Sequence, residues 1–544
     1  VTDIQQLQHV IDVNGRLVHM RIRGKGPPVL LLHASPVSGA MFDDQLALFS
    51  ERFTAIALDT PGYGLSDPLA IKEPTIADYA DALADTLTAM GLKNVALYGR
   101  HTGASIAVEF GRRHPTRAAF VLVDGYPMFS PDAVQRYLSD YLVPYRPSSD
   151  GLHLAWWWWR FREQHVFWPW NMPCSANRAT QDMPSLDYLQ RGFVAILTAG
   201  RAYDVGYRAA FQHDSEAALR SLDVPACITA RPTDSLFRGF AGVPDVHPKR
   251  QLPGDTSEAA RVELEILLEA AEWPTAGSET RDASIGQLTR AGFTRTSPQL
   301  FFRTFGAIST QSDVIVALGP WPGGCEPYVT WLEAIGKNWP TIGFDLAGNG
   351  NSAPCDIQSL EAQTEWLATA LDELSVNALA VLSIGGSAGV AARLAEYLSH
   401  LPLVMIDKDR ETTPAPPDLT PEHSGAHTLR TWQYLRDQLL WTPGDLRMQA
   451  HAREICKSGL PNADWLDRVA IEYLKHCQTF RSSCLAASDA SRSVIGRSWE
   501  EKSIYTTASL GSPPSSEIRP IDHLDGAKVA DAVSAMLGKQ GVRR

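Results

Sequence analysis

Two short turns hold the residues whose types and spacing suggest chemistry. Gly99-Arg100-His101-Thr102-Gly103 follows the apolar run Val95–Tyr98, and Gly385-Gly386-Ser387-Ala388-Gly389 follows Ala378–Ile384. Each sets a His or a Ser between glycines placed two positions before and two after it. On a tight strand-to-helix turn the central residue is strained and its side chain stands clear, while small neighbours let the backbones pass. The next residue opens a helix, so the N–H of Thr102 or Ala388 can stabilise charge on an oxygen. An imidazole at His101 can act as nucleophile or general base near neutral pH. A hydroxyl at Ser387 needs a histidine to take its proton. The bland alternative is a glycine-rich turn that only joins a strand to a helix.

The elements that position these turns repeat along the chain. In the first half Pro28–Leu32 runs into His33-Ala34-Ser35-Pro36, Thr54–Leu58 runs into Asp59-Thr60-Pro61-Gly62-Tyr63-Gly64-Leu65-Ser66, and Ala80–Met90 has the pattern of an amphipathic helix. In the second half Val314–Leu318 runs into Gly319-Pro320-Trp321-Pro322, and Thr341–Phe344 into Asp345-Leu346-Ala347-Gly348-Asn349-Gly350-Asn351-Ser352. Alternating strands and helices predict a mostly parallel sheet covered by helices, an α/β class. Ser35 to Trp321, Asp59 to Asp345 and His101 to Ser387 are each 286 positions apart. Three turns at one offset read as duplication of a whole domain. The expected division is a domain over 1–274, a linker over 275–285 rich in Gly, Ser, Thr and charge, and a second domain over 286–544. Ala259–Ala271 closes the first half, and Arg290–Thr304 resembles the opening hairpin Val10–Arg23. Polar-aromatic insertions over about 129–211 and 414–480 interrupt the alternation and read as caps.

On these motifs, in this order, the chain resembles the α/β-hydrolase superfamily twice over. The resemblance implies two tandem α/β-hydrolase-like domains, each a mostly parallel sheet with a helical cap, and attack by an elbow residue served by a His base and an orienting acid. It puts the second oxyanion donor at Ser35 or Trp321. In the second half it makes Ser387 the nucleophile and His523, just before the helix Ala527–Leu537, the base. Asp407 is the favoured acid, with Asp489 behind it. In the first half it places His101 at the elbow and Asp234 as the acid, but no terminal histidine: Leu252-Pro253-Gly254-Asp255-Thr256 stands there. His101 is then either a catalytic imidazole or a relic in a half kept for packing or binding.

The caps repeat as well. Gly151, His153, Trp158 and Arg162 match Gly425, His427, Trp432 and Arg436 in spacing. These His and Arg residues, with Arg100, either hold a substrate carboxylate or carbonyl or pack the cap helices. The net charge of −12 and the pI of 5.7 argue against nucleic acid and anionic membranes as partners. The 7 cysteines include no paired CxxC, and no phosphate loop or metal constellation is seen, so neither metal nor cofactor is expected. With no leader or apolar span visible, a cytoplasmic protein is expected. Three functions stay open. They are a hydrolase of a small organic ester, thioester or C–C bonded ketone working from Ser387; a hydrolytic or lyase-type reaction centred on His101; and a binding protein with incomplete triads.

Overall fold

The computed structural model describes residues 6–270, 288–406, 416–442, 454–455, 462–494, 503–504 and 525–542. The expected linker over 275–285 lies outside these. The chain divides into two compact units. One comprises Val1–Arg146 and Trp157–Ser284, the other Pro147–Trp156 and Ile285–Arg544. The division therefore falls inside the helix Leu152–Glu163. Pro147–Trp156, His153 among them, count with unit 2, where the sequence placed them in the first cap.

Unit 1 is built on β1 (Leu7–Val13), β2 (Arg16–Arg23), β3 (Pro28–Leu32), β4 (Thr54–Leu58), β5 (Val95–Arg100), β6 (Ala118–Asp124), β7 (Ala226–Ala230) and β8 (Lys249–Gln251), in the order β1-β2-β4-β3-β5-β6-β7-β8. The first two strands are antiparallel to their neighbours and the rest are parallel. The central strands are apolar throughout because both faces are covered. Leu30 and Leu32 pack with Ile56, Leu97 and Leu83 on one side, while Val29 and Leu31 pack with Phe49, Tyr98 and Leu267 on the other. The amphipathic helix expected from Ala80 begins earlier, at Ile76, because Thr75 and Asp78 form a capping box. The closing helix likewise starts at Thr256, where the Asp255 carboxylate accepts from the Ser257 and Glu258 N–H groups.

Unit 2 carries β9 (Ala291–Phe293), β10 (Phe301–Phe305), β11 (Asp313–Leu318), β12 (Thr341–Phe344), β13 (Asn377–Ile384), β14 (Leu403–Ile406) and the short strand Ser503–Ile504. From β9 the order is β9-β10-β12-β11-β13-β14 and then Ser503–Ile504, the order of the first seven strands of unit 1. One loop is matched bond for bond. In unit 1 the Asp59 carboxylate accepts from Gly39 N at 2.8 Å and Leu65 N at 3.0 Å, and Ser66 Oγ donates to the Asp59 carbonyl at 2.7 Å. In unit 2 Asp345 accepts from Cys325 N at 2.7 Å and Asn351 N at 2.9 Å, and Ser352 Oγ donates to the Asp345 carbonyl at 2.6 Å. The carboxylate satisfies turn amides that burial would otherwise orphan.

Charge surrounds the two carboxylates differently. His19 Nδ1 lies 2.7 Å from Asp59, and Arg21 lies 3.7 Å away. Burial pushes Asp59 up, but His19, Arg21 and His33 together hold it well below the usual carboxylate range. Asp345 is raised, with burial the leading cause. A second buried charge group lies under β5. Arg231 Nε donates to Asp124 at 3.0 Å, a second guanidinium N–H joins it, and Tyr98 Oη donates to Glu263 at 3.1 Å. Burial, and then the Asp124 charge, push Glu263 up to about 8 against the pull of Arg231 and Arg100.

Two measurements follow from these groups. Asp59 is depressed in the fold, so its contribution is present above the ordinary carboxylate range and fades as pH falls below about 4. Asp59→Asn is expected to cost about 3 kcal/mol in urea unfolding at pH 7, with the gap to wild type narrowing in acid. Glu263 is raised, so its contribution is full below about pH 4 and is lost as pH rises towards about 8. Glu263→Gln should therefore gain about 2 kcal/mol on wild type between pH 5 and 8 and run parallel beyond. A pH-independent difference would mean that Glu263 does not carry its proton in the fold.

Candidate active site

The elbow of unit 1 is a steric construction. His101 has φ 49° and ψ −113°, a conformation that costs a side-chain-bearing residue about 1–3 kcal/mol. A Cβ on Gly99 would sit 2.3 Å from the Gly103 carbonyl oxygen, and one on Gly103 would sit 2.0 Å from the Leu32 carbonyl oxygen. No side chain fits at either place, so the helix Thr102–Arg113 is drawn against the ends of β3 and β5. The His101 ring is held from below by Gly125, whose Cβ would meet the ring at 2.7 Å.

The imidazole does not lack a partner. Its Nε2 lies 2.8 and 3.0 Å from the two carboxylate oxygens of Asp234, just beyond the end of β7. Asp234 is nearly closed to solvent at 2% side-chain exposure, whereas His101 is 26% exposed. Burial raises Asp234, but the His101 charge and hydrogen bond, Arg100 and the Leu236 N–H hold it far below the usual carboxylate range. An ionised Asp234 fixes the proton on Nε2 and leaves Nδ1 as the basic nitrogen. Arg100 lies 3.3 Å from Asp234 and 3.6 Å from Asp124, tying the acid to the charge group under the sheet. The expected oxyanion donors flank the imidazole. Thr102 N–H belongs to the first turn of its helix, which has no i−4 carbonyl to bind, and Ser35 N–H makes a long 3.4 Å bond to Thr102 Oγ1.

The sheet register sets Gly385, and not Ser387, in line with His101. Leu32 pairs with Gly99 in unit 1, and Leu318, its counterpart at the 286 offset, pairs with Ser383 in unit 2. The residue two beyond Ser383 is Gly385, so Gly385 stands where His101 does. Its φ of 56° matches the 49° of His101. Ser387 instead ends a 3₁₀ turn at φ −79°, is 0% exposed, and donates to the Ile384 and Leu318 carbonyls at 3.0 and 3.2 Å. The constant spacing of the third motif hides a two-residue shift. Ala388 accordingly opens a helix three residues past the elbow, where Thr102 is one past His101, and the Trp321 indole donates to Gln358 at 3.0 Å. His523 and Asp407 lie outside the described residues. Asp489 pairs with Arg492 on an exposed helix face.

The repeated cap residues have local partners. His153 Nδ1 accepts from Ser148 N at 3.2 Å, and its Nε2 lies 2.9 Å from Asp467. His427 Nδ1 accepts from Glu422 N at 3.3 Å, five residues back as in the first repeat. Gly151 and Gly425 precede them with φ 76° and 75°. The shared pattern is thus a loop closed onto a helix start. Arg162 pairs with Glu163 and Arg436 with Asp437. Four residues that bear on the site escaped the sequence reading: Asp124, Gly125, Arg231 and His165. Only the acidic end of β6 beside Arg100 signalled any of them. Burial pushes the His165 imidazole down to about 4, and the Arg100 and Arg160 charges add to it.

Comparison with known proteins bears on this geometry. Residues 27–142 match the family model described as alpha/beta hydrolase fold. A 2-(acetamidomethylene)succinate hydrolase of Mesorhizobium japonicum is 30% identical over 126 residues, covering 23% of this chain and 45% of that protein. Epoxide hydrolase 3 of Mus musculus is 33% identical over 116 residues, 21% of this chain and 31% of that protein. The chain thus spans less than half the length of these relatives. Among solved structures, E-2-(acetamidomethylene)succinate hydrolase aligns over 49% of this chain and 98% of its own at 18% identity, with a TM-score of 0.34. Among the described residues no helix is long and apolar enough to cross a membrane. Residues 27–142, which hold the Ser35 turn, the Asp59 turn and the His101 elbow, are thus the part of the chain that is similar to the α/β-hydrolase fold family.

Proposed function

We propose that unit 1 is a hydrolase of small organic esters or thioesters in which His101, supported by Asp234, is the base. The observation that carries this reading is the strained His101 with its Nε2 2.8 Å from a buried Asp234. Nδ1 takes a proton from a water, and the resulting hydroxide adds to the substrate carbonyl. Thr102 N–H and Ser35 N–H stabilise the oxyanion, the intermediate collapses, and the imidazolium returns its proton to the leaving oxygen or sulfur. Asp234 remains ionised, orients the ring and stabilises its cationic form. Arg100 keeps Asp234 in place from the other side. No serine or cysteine nucleophile is required.

We further infer that unit 2 is a duplicated copy of unit 1 without this chemistry. Shared strand order, the matched Asp59 and Asp345 loops, and Gly385 at the elbow support that reading. A glycine at that elbow offers no side chain to react.

Screening wild type against ester and thioester panels supplies the substrate for the test. His101→Ala should lower kcat by about 10²–10⁴-fold, and Asp234→Asn should also be strongly impaired. Ser387→Ala should leave turnover unchanged, and a fluorophosphonate should not label the wild type. Labelling at Ser387, or loss of turnover in Ser387→Ala, would return the chemistry to unit 2. Absence of turnover across both panels would favour a binding protein instead.

A further inference from the structure

Arg160 is fully buried in unit 1, at 0% exposure, on the helix that ends at Glu163. One terminal nitrogen, Nη1, donates to Gln164. Among the described residues Nε and Nη2 make no hydrogen bond of normal geometry, although the Tyr141 hydroxyl is near enough to interact with the charge, and no carboxylate there forms an ion pair with the guanidinium. The group instead lies against two aromatic rings, with its central carbon 5.2 Å from the Tyr141 centroid and 5.3 Å from that of Trp170. Cation–π contacts offset only part of the cost of burying a charge. Arg231 shows how the same unit buries a guanidinium that serves structure alone: Asp124 takes its Nε and Nη2 together. That same edge, Nε with Nη2, is the one left open on Arg160. It is the side-on fork that receives a carboxylate through two parallel hydrogen bonds.

The position of this fork links it to the elbow. Tyr203, whose ring lies near enough to act on the Arg160 charge, accepts the Tyr63 hydroxyl on its carbonyl at 2.8 Å. Tyr63 in turn packs edge-on against His33, at 5.5 Å, in the loop that leads to Ser35. On the other side His165 feels both Arg160 and Arg100, the neighbour of His101. His165 Nε2 is buried and also meets no hydrogen-bond partner among the described residues. These contacts connect the surroundings of Arg160 with the loop that leads to Ser35 and with Arg100 beside His101.

We propose that Arg160 binds a carboxylate of the ligand taken by unit 1, a small aromatic acid whose reacting carbonyl is a separate group presented to His101. The fork fixes the anionic end, and the rings of Tyr141 and Trp170 line its surroundings. This specificity rests on the reading of His101 as the reacting base. Carboxylate binding itself needs no reaction and can be measured alone.

Benzoate and phenylacetate are the probes, titrated into the full chain by calorimetry and by tryptophan fluorescence. Saturable binding is expected, with benzamide and phenylacetamide weaker by about tenfold or more. Arg160→Met should abolish that acid-over-amide preference. Arg160→Lys, which keeps the charge but not the fork, should lose about tenfold in benzoate affinity. Arg162→Met, two residues along the same helix, should change nothing. His101→Ala should still prefer benzoate over benzamide even where it has lost turnover. A failure of the base reading would therefore appear in turnover alone, and a failure of the present proposal in the acid-to-amide ratio. Equal affinity for acid and amide in the wild type overturns the proposal and needs no variant to fold. So does an undiminished preference in Arg160→Met.

Discussion

The approach of Gly103 to the Leu32 carbonyl sets the geometry on which the rest of unit 1 depends. With a hydrogen in place of a side chain, the helix after β5 can start almost on top of β3. The chain must then reverse within a single residue, and that residue is driven to positive φ. His101 stands there with its imidazole lifted off the sheet and its backbone N–H still bound to the Asp124 carbonyl at 3.2 Å. Relaxing the glycine contact would let the turn open and carry the ring away from Asp234. Backbone packing thus precedes and enforces the hydrogen bond between His101 and Asp234.

Below this turn lies an unusual concentration of buried charge. Asp234, Arg100, Asp124 and Arg231 form an alternating series from the imidazole to the underside of β5, and Glu263 sits beside it as a proton carrier. Charges of alternating sign limit the cost of desolvating each one, yet an apolar core would be less demanding still. The arrangement makes sense as orientation: every polar atom held on the far side of Asp234 restricts where that carboxylate can point. Arg160 breaks the alternation, having rings where Arg231 has a carboxylate.

Strand and turn positions were legible in the sequence because fully buried parallel strands leave unbroken apolar runs such as Pro28–Leu32 and Val314–Leu318. Helix starts were less so, since Thr75 and Asp255 act through capping bonds and not through apolar periodicity. The pairing of His101 with Asp234 spans 133 positions and rests on the closure of the sheet, though both residues had been singled out. Ser387 misled for a definable reason. Leu318 pairs with Ser383, two residues short of the partner that the 286 offset gives it, and a count of residues along the chain cannot register a slip across strands. Arg160 was passed over because the visible repeat drew attention to Arg162, one face away on the same helix. Exposure and partners separate the two, and neither can be read from spacing.

The elbow of unit 2 gives the strain at His101 a further meaning. Glycine at position 385 occupies the same backbone region without penalty, so the fold itself has no need of a histidine there. Unit 1 therefore keeps a residue that its own scaffold resists. Selection for thermal endurance alone, applied to unit 1 without regard to activity, would be expected to drift towards glycine at 101 and so towards the condition already found in its neighbour. The two units then differ in the same turn, one held under tension and the other at rest.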